Sequence, residues 1–157
     1  MVRAVSQDKQ GRIWIGTDQD GIDILDKKTG EVRQLRNKTG DERSLQNNTV
    51  MVLYEDSSET MWVGTYKKGI SYFNECAFKF GAEYIGDISC IEEDKEGYVW
   101  LGTNDVGIIY WNSVTGNRAA FPQKGMDKLT TDAIVCILKA GDGKLWIGTF
   151  GGGLICY

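Results

Sequence analysis

Few residues in this sequence could carry out enzyme chemistry, and their spacing does not match a known catalytic motif. None of the 157 residues is histidine, so a Ser-His-Asp or Cys-His catalytic set is impossible. The adjacent carboxylates Glu92, Glu93 and Asp94 could in principle act as a general acid and a general base. They stand, however, where an apolar strand ends and a polar turn begins, which favours a solvated surface. We therefore predict no catalytic residue.

Aspartates at a repeated position invite a metal-binding interpretation. Asp8, Asp56 and Asp94 each lie six residues before a tryptophan, and the segments that begin at Asp8 and Asp94 resemble parts of calcium-binding loops. These segments are too short for the twelve-residue calcium hand, and they lack its closing glutamate. An Asx turn between two strands is the better interpretation. We predict no metal and no cofactor.

The four cysteines do not form a zinc or redox motif, because no two of them have C-x-x-C spacing. Cys90 and Cys136 both lie ten residues before a tryptophan, at the position that Ala4 and Val52 occupy elsewhere in the chain. Cysteine is among the most often buried residue types, so we expect both to be small core residues. A disulfide or a redox role remains the alternative.

Composition limits the class of protein. Hydrophobic residues make up 41% and aromatic residues 11% of the chain, which is typical of a globular fold. The net charge is −4 with Lys and Arg scattered singly, so the sequence lacks the basic stripe of a nucleic-acid-binding protein. No apolar run approaches the roughly 18 residues of a membrane span, and no signal peptide precedes the first predicted strand. Since that strand begins at once, we expect the chain to be a segment excised from a longer protein.

The motif Trp-x-Gly-Thr recurs four times. It indicates a repeated structural unit, which positions the aspartates and cysteines described above. After each copy, three residues intervene before a glycine and an aliphatic residue. Successive tryptophans are 48, 38 and 46 residues apart, close to the roughly 40–45 residues of a four-stranded propeller blade. Apolar and polar residues alternate between the turns, as in strands and unlike helices. The four copies begin at Trp14, Trp62, Trp100 and Trp146.

We predict an all-β fold, a β-propeller fragment of about 3.75 four-stranded antiparallel blades whose last blade lacks its outer strand. The blades span approximately residues 1–43, 44–84, 85–128 and 129–157 of a single propeller segment. Pro122 follows a fourth strand, where an outer edge tolerates it. The predicted first strands are 2–5, 50–54, 88–91 and 134–138, and the predicted fourth strands are 32–35, 78–80 and 118–121.

The repeated residues are predicted to be spacers between blades and not an active site. Each tryptophan should fill the space between adjacent blades while its indole N–H donates to a backbone carbonyl. The glycine two residues later leaves the sheet face free for a neighbouring blade. The threonine suits the end of a strand, and the glycine before the third strand suits a left-handed turn residue.

These residues resemble the repeat of the two-component regulator propeller family, which combines an apolar strand, Asp, Gly, Trp-x-Gly-Thr, Gly-Leu and Thr-Gly. The resemblance extends over the whole chain, with Glu59 in place of a glycine, Ala140 in place of the aspartate and a short link before the third repeat. It implies the extracytoplasmic, periplasmic sensing region of a hybrid histidine-kinase receptor of Bacteroides-like bacteria, which detects oligosaccharides. No kinase, receiver or DNA-binding segment is part of the sequence, so only recognition is expected of it.

Any ligand is expected at one end of the blades. In a meander, alternate turns fall on the same end of the sheet, so the second-to-third turns share a face with the links at residues 37–48, 81–87 and 123–132. Aromatic residues in these turns could stack on a sugar, and amides and carboxylates could hydrogen-bond it. An exposed surface without a ligand is the alternative. The candidate residues are Asp18, Gln19, Asp20, Tyr66, Lys67, Lys68, Asn104, Asp105 and Phe150.

An open arc of blades would expose apolar end faces, so we expect self-association or packing on further blades. Two copies forming an eight-bladed pseudo-ring around a two-fold axis are the preferred arrangement, and a closed four-bladed monomer is the alternative. A purely structural or protein-interaction fragment without a small ligand remains a second functional class, and an enzyme is a distant third. No nucleic acid and no membrane contact are expected.

Overall fold

The computed structural model describes residues 1–41, 43–74, 79–112, 115–121 and 131–157 of the chain. These residues form fifteen strands and no helix. In chain order the strands are β1 (Val2–Gln7), β2 (Ile13–Thr17), β3 (Ile22–Leu25), β4 (Val32–Leu35), β5 (Val50–Glu55), β6 (Met61–Thr65), β7 (Gly69–Asn74), β8 (Lys79–Glu83), β9 (Ile88–Glu93), β10 (Tyr98–Thr103), β11 (Ile108–Asn112), β12 (Arg118–Ala120), β13 (Ile134–Lys139), β14 (Leu145–Thr149) and β15 (Gly153–Cys156).

Consecutive strands pair into four antiparallel meanders, blades 1 to 4. Their strand orders are β1-β2-β3-β4, β5-β6-β7-β8, β9-β10-β11-β12 and β13-β14-β15. The predicted all-β propeller fold is confirmed, with three four-stranded blades and a last blade of three strands. The blades fall into two compact units, Met1–Asp87 with blades 1 and 2, and Ile88–Tyr157 with blades 3 and 4. That the whole chain is a single propeller segment stays a prediction.

Several strands extend beyond their predicted ends. Each first strand continues by one or two residues, because its partner in the same blade still offers backbone N–H and C=O groups there. The fourth strand of blade 2 ends at Glu83 and not at residue 80, and Glu83 pairs with Ile70. The glycine and the charged residue in that stretch are typical of a loop, which explains the short prediction. Pro122 and most of the predicted turn at 74–77 lie outside the described residues.

Glycines of the repeated phrase let neighbouring blades approach each other within each unit. In the first unit, a Cβ atom on Gly16 would lie 2.6 Å from Cγ1 of Val50, the first residue of β5. In the second unit, a Cβ atom on Gly102 would lie 2.8 Å from Cγ2 of Ile134, the first residue of β13. Both aliphatic side chains are buried. The predicted role of these glycines is confirmed, since a side chain there would displace the next blade.

Three tryptophans hydrogen-bond to an aspartate side chain, so the predicted backbone acceptor is wrong for them. In blade 1, Nε1 of Trp14 donates to Oδ2 of Asp8 at 2.8 Å, while Oδ1 of Asp8 accepts the backbone N–H of Arg12 at 2.8 Å. The predicted Asx turn is therefore confirmed. The turn also explains why the acceptor is a carboxylate and not a backbone carbonyl. A carboxylate that holds the turn with one oxygen can accept the indole N–H with the other. The same pair recurs as Asp56–Trp62 at 2.8 Å and Asp94–Trp100 at 2.9 Å.

Cysteines at one strand position have two different environments. Cys90 in β9 is partly buried, and burial raises the pKa of its thiol to about 11. The thiol therefore stays protonated at neutral pH. Cys136 in β13 is exposed beside Gly148, so the prediction that it is a core residue is wrong. Both thiols are free, and Cys76 lies outside the described residues.

Candidate ligand-binding loop face

The turns between second and third strands share one backbone construction. The threonine hydroxyl that ends the second strand donates to the carbonyl of the glycine four residues later, at 2.8–3.0 Å in all four blades. That glycine has φ between +75° and +81°, the left-handed region that its sequence position predicts. In blade 1, a Cβ atom on Gly21 would overlap the carbonyl oxygen of Leu35. The threonine and the glycine thus hold each turn without the side chains of the three residues between them. In blades 1 and 3 the backbone N–H of the third residue, Asp20 or Val106, also donates to the threonine hydroxyl, at 3.0 and 2.9 Å.

Those three residues are the predicted ligand contacts, and the structure places nearly all of their side chains in solvent. Asp18 is half-buried, and the other eight candidates are exposed. The middle residue is left-handed in three of the four turns, at Gln19 with φ 86°, Lys67 with φ 54° and Gly151 with φ 80°. Glutamine and lysine rarely adopt that conformation. The turn frame therefore holds two long polar side chains in a backbone conformation that suits glycine better.

In the first unit, the second-to-third turns lie at the same end as the links into the first strands. The backbone N–H of Asp18 donates to the carbonyl of Met1 at 2.8 Å, and that of Tyr66 donates to Thr49 at 3.0 Å. The side chain of Asn47, in the predicted link 37–48, donates to the Tyr66 carbonyl at 3.0 Å. The geometric part of the prediction is thus confirmed for this unit. We call this end the loop face.

Charged groups surround the Tyr66 ring on the loop face. Nζ of Lys67 lies 5.0 Å from the ring centroid, and its hydrogen bond to Tyr66 raises the pKa of the lysine. The guanidinium of Arg3 binds Asp18 Oδ2 at 2.9 Å, which lowers the pKa of that carboxyl. Arg3 also interacts electrostatically with Tyr66. We call Arg3, Asp18, Tyr66 and Lys67 the Tyr66 cluster.

Sequence reasoning missed Arg3, which sits at an irregularity in the pairing of β1 with β2. The register shifts between Val2 and Ala4, so Arg3 has no partner opposite it in β2. Bulges of this kind re-aim a side chain away from the sheet face. The one sequence feature that could have indicated Arg3 is that residue type varies at its position between blades. The other blades have Met51, Ser89 and Val135 there.

The remaining candidates are distributed over both units. In blade 1, Asp20 lies 3.6 Å from the guanidinium of Arg36, and Gln19 is exposed beside it. Lys68 in blade 2 is exposed. In the second unit, Asn104 and Asp105 in blade 3 and Phe150 in blade 4 are exposed, and the backbone N–H of Phe150 donates to Ala133 at 2.8 Å. The structure thus brings Asp18, Tyr66 and Lys67 together around Arg3. The other six candidates lie outside this group, three of them on the same two turns and three on the turns of the second unit.

A second concave surface, which the repeat pattern does not predict, lies between blades 3 and 4. It has about 620 Å³ of empty volume. The corresponding space between blades 1 and 2 is narrower, because the Arg12 guanidinium lies 6.0 Å from the Trp14 ring and Phe73 packs 5.8 Å from the same ring. The surface between blades 3 and 4 is lined by Asp94, Glu96, Tyr98, Trp100, Tyr110, Phe121 and Tyr157.

Metal-ligating side chains do not gather in the described ranges, where no group of three or more Cys, Asp or Glu residues could hold an ion. Within the same part of the chain, no helix has the length and apolar character needed to cross a membrane. The Tyr66 cluster, which combines an aromatic ring with charged side chains, is the candidate ligand-binding site.

Comparison with protein families gives a match along most of the repeats. The family described as "Two component regulator propeller" matches residues 1–19, 44–67, 85–105 and 128–151, which contain all four Trp-x-Gly-Thr phrases. Among curated proteins, no sequence matches the chain.

Solved structures show the same fold at low sequence identity. The extracellular domain assigned to a hybrid two component system, BT3049 from B. thetaiotaomicron, superposes with a TM-score of 0.83 and 22% identity over 99% of this chain and 23% of that one. Virginiamycin B lyase from Staphylococcus aureus gives 0.74 and 15% over 99% and 55%. The computationally designed Ika4 protein gives 0.71 and 16% over 100% and 90%. The chain thus spans about a quarter of the length of the BT3049 domain, and these likenesses concern the fold.

Proposed function

Because the chain belongs to the two-component regulator propeller family, we propose that it is a non-catalytic sensor module whose loop face binds an oligosaccharide. In this proposal the chain is an extracytoplasmic part of a larger signalling receptor. The extracellular assignment of the BT3049 domain supports that location. The fold alone does not distinguish a sensor from an enzyme, because virginiamycin B lyase has the same fold.

The observation that carries the proposal is the exposed Tyr66 ring beside the Arg3–Asp18 ion pair. An aromatic face supplies apolar contact to the C–H groups of a sugar ring. The carboxylate of Asp18 accepts and the guanidinium of Arg3 donates hydrogen bonds, so together they can satisfy neighbouring sugar hydroxyls. The Arg3–Asp18 bond also fixes both side chains before a ligand arrives, which reduces the entropy lost on binding.

The construction of the second-to-third turns supports ligand recognition as the function of the loop face. The threonine and the glycine hold the backbone through their own groups, so the three side chains between them can differ from blade to blade. They do differ: the first turn is acidic, the second is aromatic and basic, and the fourth begins with Phe150. An aromatic residue at the first turn position in blades 2 and 4 puts one exposed ring on these turns in each unit.

The ionisable groups of the Tyr66 cluster favour binding over proton transfer. The Arg3 hydrogen bond lowers the pKa of Asp18, and the Tyr66 hydrogen bond raises the pKa of Lys67. Both shifts move the pKa away from neutrality, so each group keeps its charge at pH 7. A general acid or base instead requires a pKa near the working pH. This arrangement supports a fixed set of charged contacts.

Isothermal titration calorimetry with a panel of neutral, uronic and sulfated oligosaccharides tests the proposal. The Tyr66→Ala variant removes the ring and should weaken binding about fivefold, since a stacked ring contributes on the order of 1 kcal/mol. Tyr66→Phe is the matched control, because it keeps the ring and should retain most of the affinity. No binding across the panel, or binding that Tyr66→Ala leaves unchanged, would overturn the proposal.

A further inference from the structure

Five aromatic side chains line the concave surface between blades 3 and 4, and their rings follow one another without a break. The Trp100 ring centroid lies 5.5 Å from that of Tyr110 and 5.9 Å from that of Phe121. Tyr98 meets Tyr110 edge-on at 5.8 Å, and Tyr157 meets Phe121 edge-on at 4.8 Å. We call these five residues the ring wall. Aromatic rings carry partial negative charge on their faces, so a wall of rings favours apolar or cationic groups.

The carboxylate of Asp94 lines the same space, and among the described residues no Lys or Arg side chain pairs with it. Its Oδ2 accepts the indole N–H of Trp100 at 2.9 Å. Its Oδ1 accepts the backbone N–H groups of Glu96 and Tyr98, at 3.0 and 2.9 Å. The nearby cation, Nζ of Lys139, lies 3.6 Å from Glu96. The space therefore combines a ring wall with a half-buried carboxylate whose charge is not compensated by an ion pair.

The space between blades 1 and 2 is built from the same repeat positions, and there two guanidinium groups of the chain lie against the aromatic rings. Nε of Arg12 donates to Oδ2 of Asp8 at 2.6 Å, and the Arg12 guanidinium lies 6.0 Å from the Trp14 ring. The guanidinium of Arg33, in β4, lies 5.9 Å from the Phe73 ring. About 300 Å³ of empty volume remain there, against about 620 Å³ between blades 3 and 4.

Neither arginine has a counterpart in the second unit, because other residues stand at the two positions. Tyr98 replaces Arg12, two residues before the repeated tryptophan. Ala119 replaces Arg33, opposite the residue ten positions after that tryptophan. Two exchanges within blade 3 thus open the space, while Asp94 and the aromatic residues that the guanidinium groups contact in the first unit are kept in kind.

We propose that the ring wall and Asp94 bind the guanidinium group of an arginine side chain in a peptide ligand. A guanidinium is planar and weakly hydrated, so it stacks on aromatic rings while its N–H groups donate to a carboxylate. Oδ2 of Asp94 is the acceptor, as Oδ2 of Asp8 is in the first unit. A neutral sugar also stacks on rings, but it leaves the charge of Asp94 uncompensated.

This site is separate from the loop face. The Asp94 turn joins a first strand to a second, and successive turns of a meander lie at opposite ends of the sheet. The Asp94 end of the ring wall is therefore the end of blade 3 away from residues 104–106. Binding here does not depend on an oligosaccharide at the Tyr66 cluster, and Tyr66→Ala should leave it unchanged.

Titration with N-acetyl-arginine amide, followed through the indole N–H signal of Trp100 in proton–nitrogen NMR spectra, tests the proposal. The signal should shift saturably, because that N–H donates to the carboxylate that accepts the guanidinium. N-acetyl-citrulline amide is the matched ligand control, since its urea group has the same shape without the charge, and it should bind at least about tenfold more weakly. No saturable shift with the arginine ligand, equal binding of the two ligands, or tighter binding of maltose would overturn the proposal.

Two variants return a guanidinium group to the positions at which the first unit has one. Tyr98→Arg and Ala119→Arg should each weaken binding about tenfold, since a tethered guanidinium competes for the same space. Ala119 is exposed, so its variant should fold, which circular dichroism checks for both.

Ala120→Arg is the matched control for charge. It adds the same cation to β12, but adjacent strand residues point to opposite sides of the sheet, so this guanidinium should not reach the ring wall. Tyr98→Phe keeps a ring at its position and should retain most of the affinity. Undiminished binding in folded Ala119→Arg and Tyr98→Arg, or an equal loss in Ala120→Arg, would contradict the assignment.

Discussion

Nε1 of Trp62 donates to Oδ2 of Asp56 at 2.8 Å, and both residues are only 1% exposed. The other oxygen of Asp56 accepts the backbone N–H groups of Ser58 and Thr60, both at 2.9 Å. One carboxylate therefore satisfies a side chain of the second strand and the turn that leads into it. The pair couples a local turn to the packing of the largest residue in the blade.

We expect Asp56→Ala to be strongly destabilising. It leaves the buried indole N–H and two turn N–H groups without their acceptor, which should lower the free energy of unfolding by roughly 3 kcal/mol. Urea denaturation followed by tryptophan fluorescence measures the loss. Asp142→Ala is the control, because Asp142 is exposed and its carboxylate binds only Lys144 among the described residues, through the backbone N–H at 3.1 Å and the exposed ammonium at 3.2 Å. Equal losses in the two variants would contradict the role of the Asp56–Trp62 pair.

Asp8 should make the first unit sensitive to acid. Burial acts to raise the pKa of Asp8, but hydrogen bonds from Trp14 and Arg12 outweigh it and lower the pKa below its ordinary value of 3.8. A lowered pKa stabilises the folded state above the unfolded-state value, and this contribution is lost as the pH falls through the folded-state value. The stability difference between wild type and Asp8→Asn should therefore be constant near neutral pH and shrink below pH 3.8. Urea titrations across that range measure it, and a difference independent of pH would refute the prediction.

Glu59→Gly should stabilise the chain. Glu59 has φ 62°, while the residues at the same turn position in the other blades are Gly11, Gly97 and Gly143 with φ between 80° and 91°. A left-handed non-glycine residue costs on the order of 1 kcal/mol. The bond that Glu59 accepts from Gln10 at 3.1 Å is exposed and offsets little. Thermal denaturation should give a higher Tm, and Gly97→Ala, the reverse change, should give a lower one.

The cysteines should react with iodoacetamide in an order set by burial. Cys136 and Cys156 are exposed, whereas burial raises the pKa of Cys90 to about 11. Only the thiolate is a nucleophile, so at pH 8 Cys90 should be labelled last among these three. Peptide mass spectrometry of the dilute chain follows each site, and denatured chain is the control in which the differences vanish. Early labelling of Cys90 would show that it is not protected in the folded blade.

Sequence patterns predicted the elements that depend on local spacing. The number of strands, the missing outer strand and the left-handed glycines before the third strands follow from residues a few positions apart. The acceptor of the tryptophan N–H was missed, although Asp8 and Trp14 were both noted, because their contact depends on how the turn folds back. Arg3 was missed because a bulge moves it out of the alternation of β1.

Cys136 shows a different limit of the sequence. Its strand position is the one that Cys90 occupies, and a repeat pattern predicts the same environment for both. Burial at that position, however, comes from the neighbouring blade and not from the residues around the cysteine. Cys90 has Ile134 beside it across Gly102, while Cys136 is exposed beside Gly148. The exposure of the candidate ligand-contact residues is likewise seen only in the structure, and their binding of a ligand stays a prediction.

The hydrogen bond from each strand-ending threonine to the glycine four residues later fixes the length of the interval between them. The four turns therefore have one length, and they differ from one another by exchange of residues. The segment 66–68 could be transplanted into positions 18–20, or randomised there, with the blade acting as an inert display scaffold.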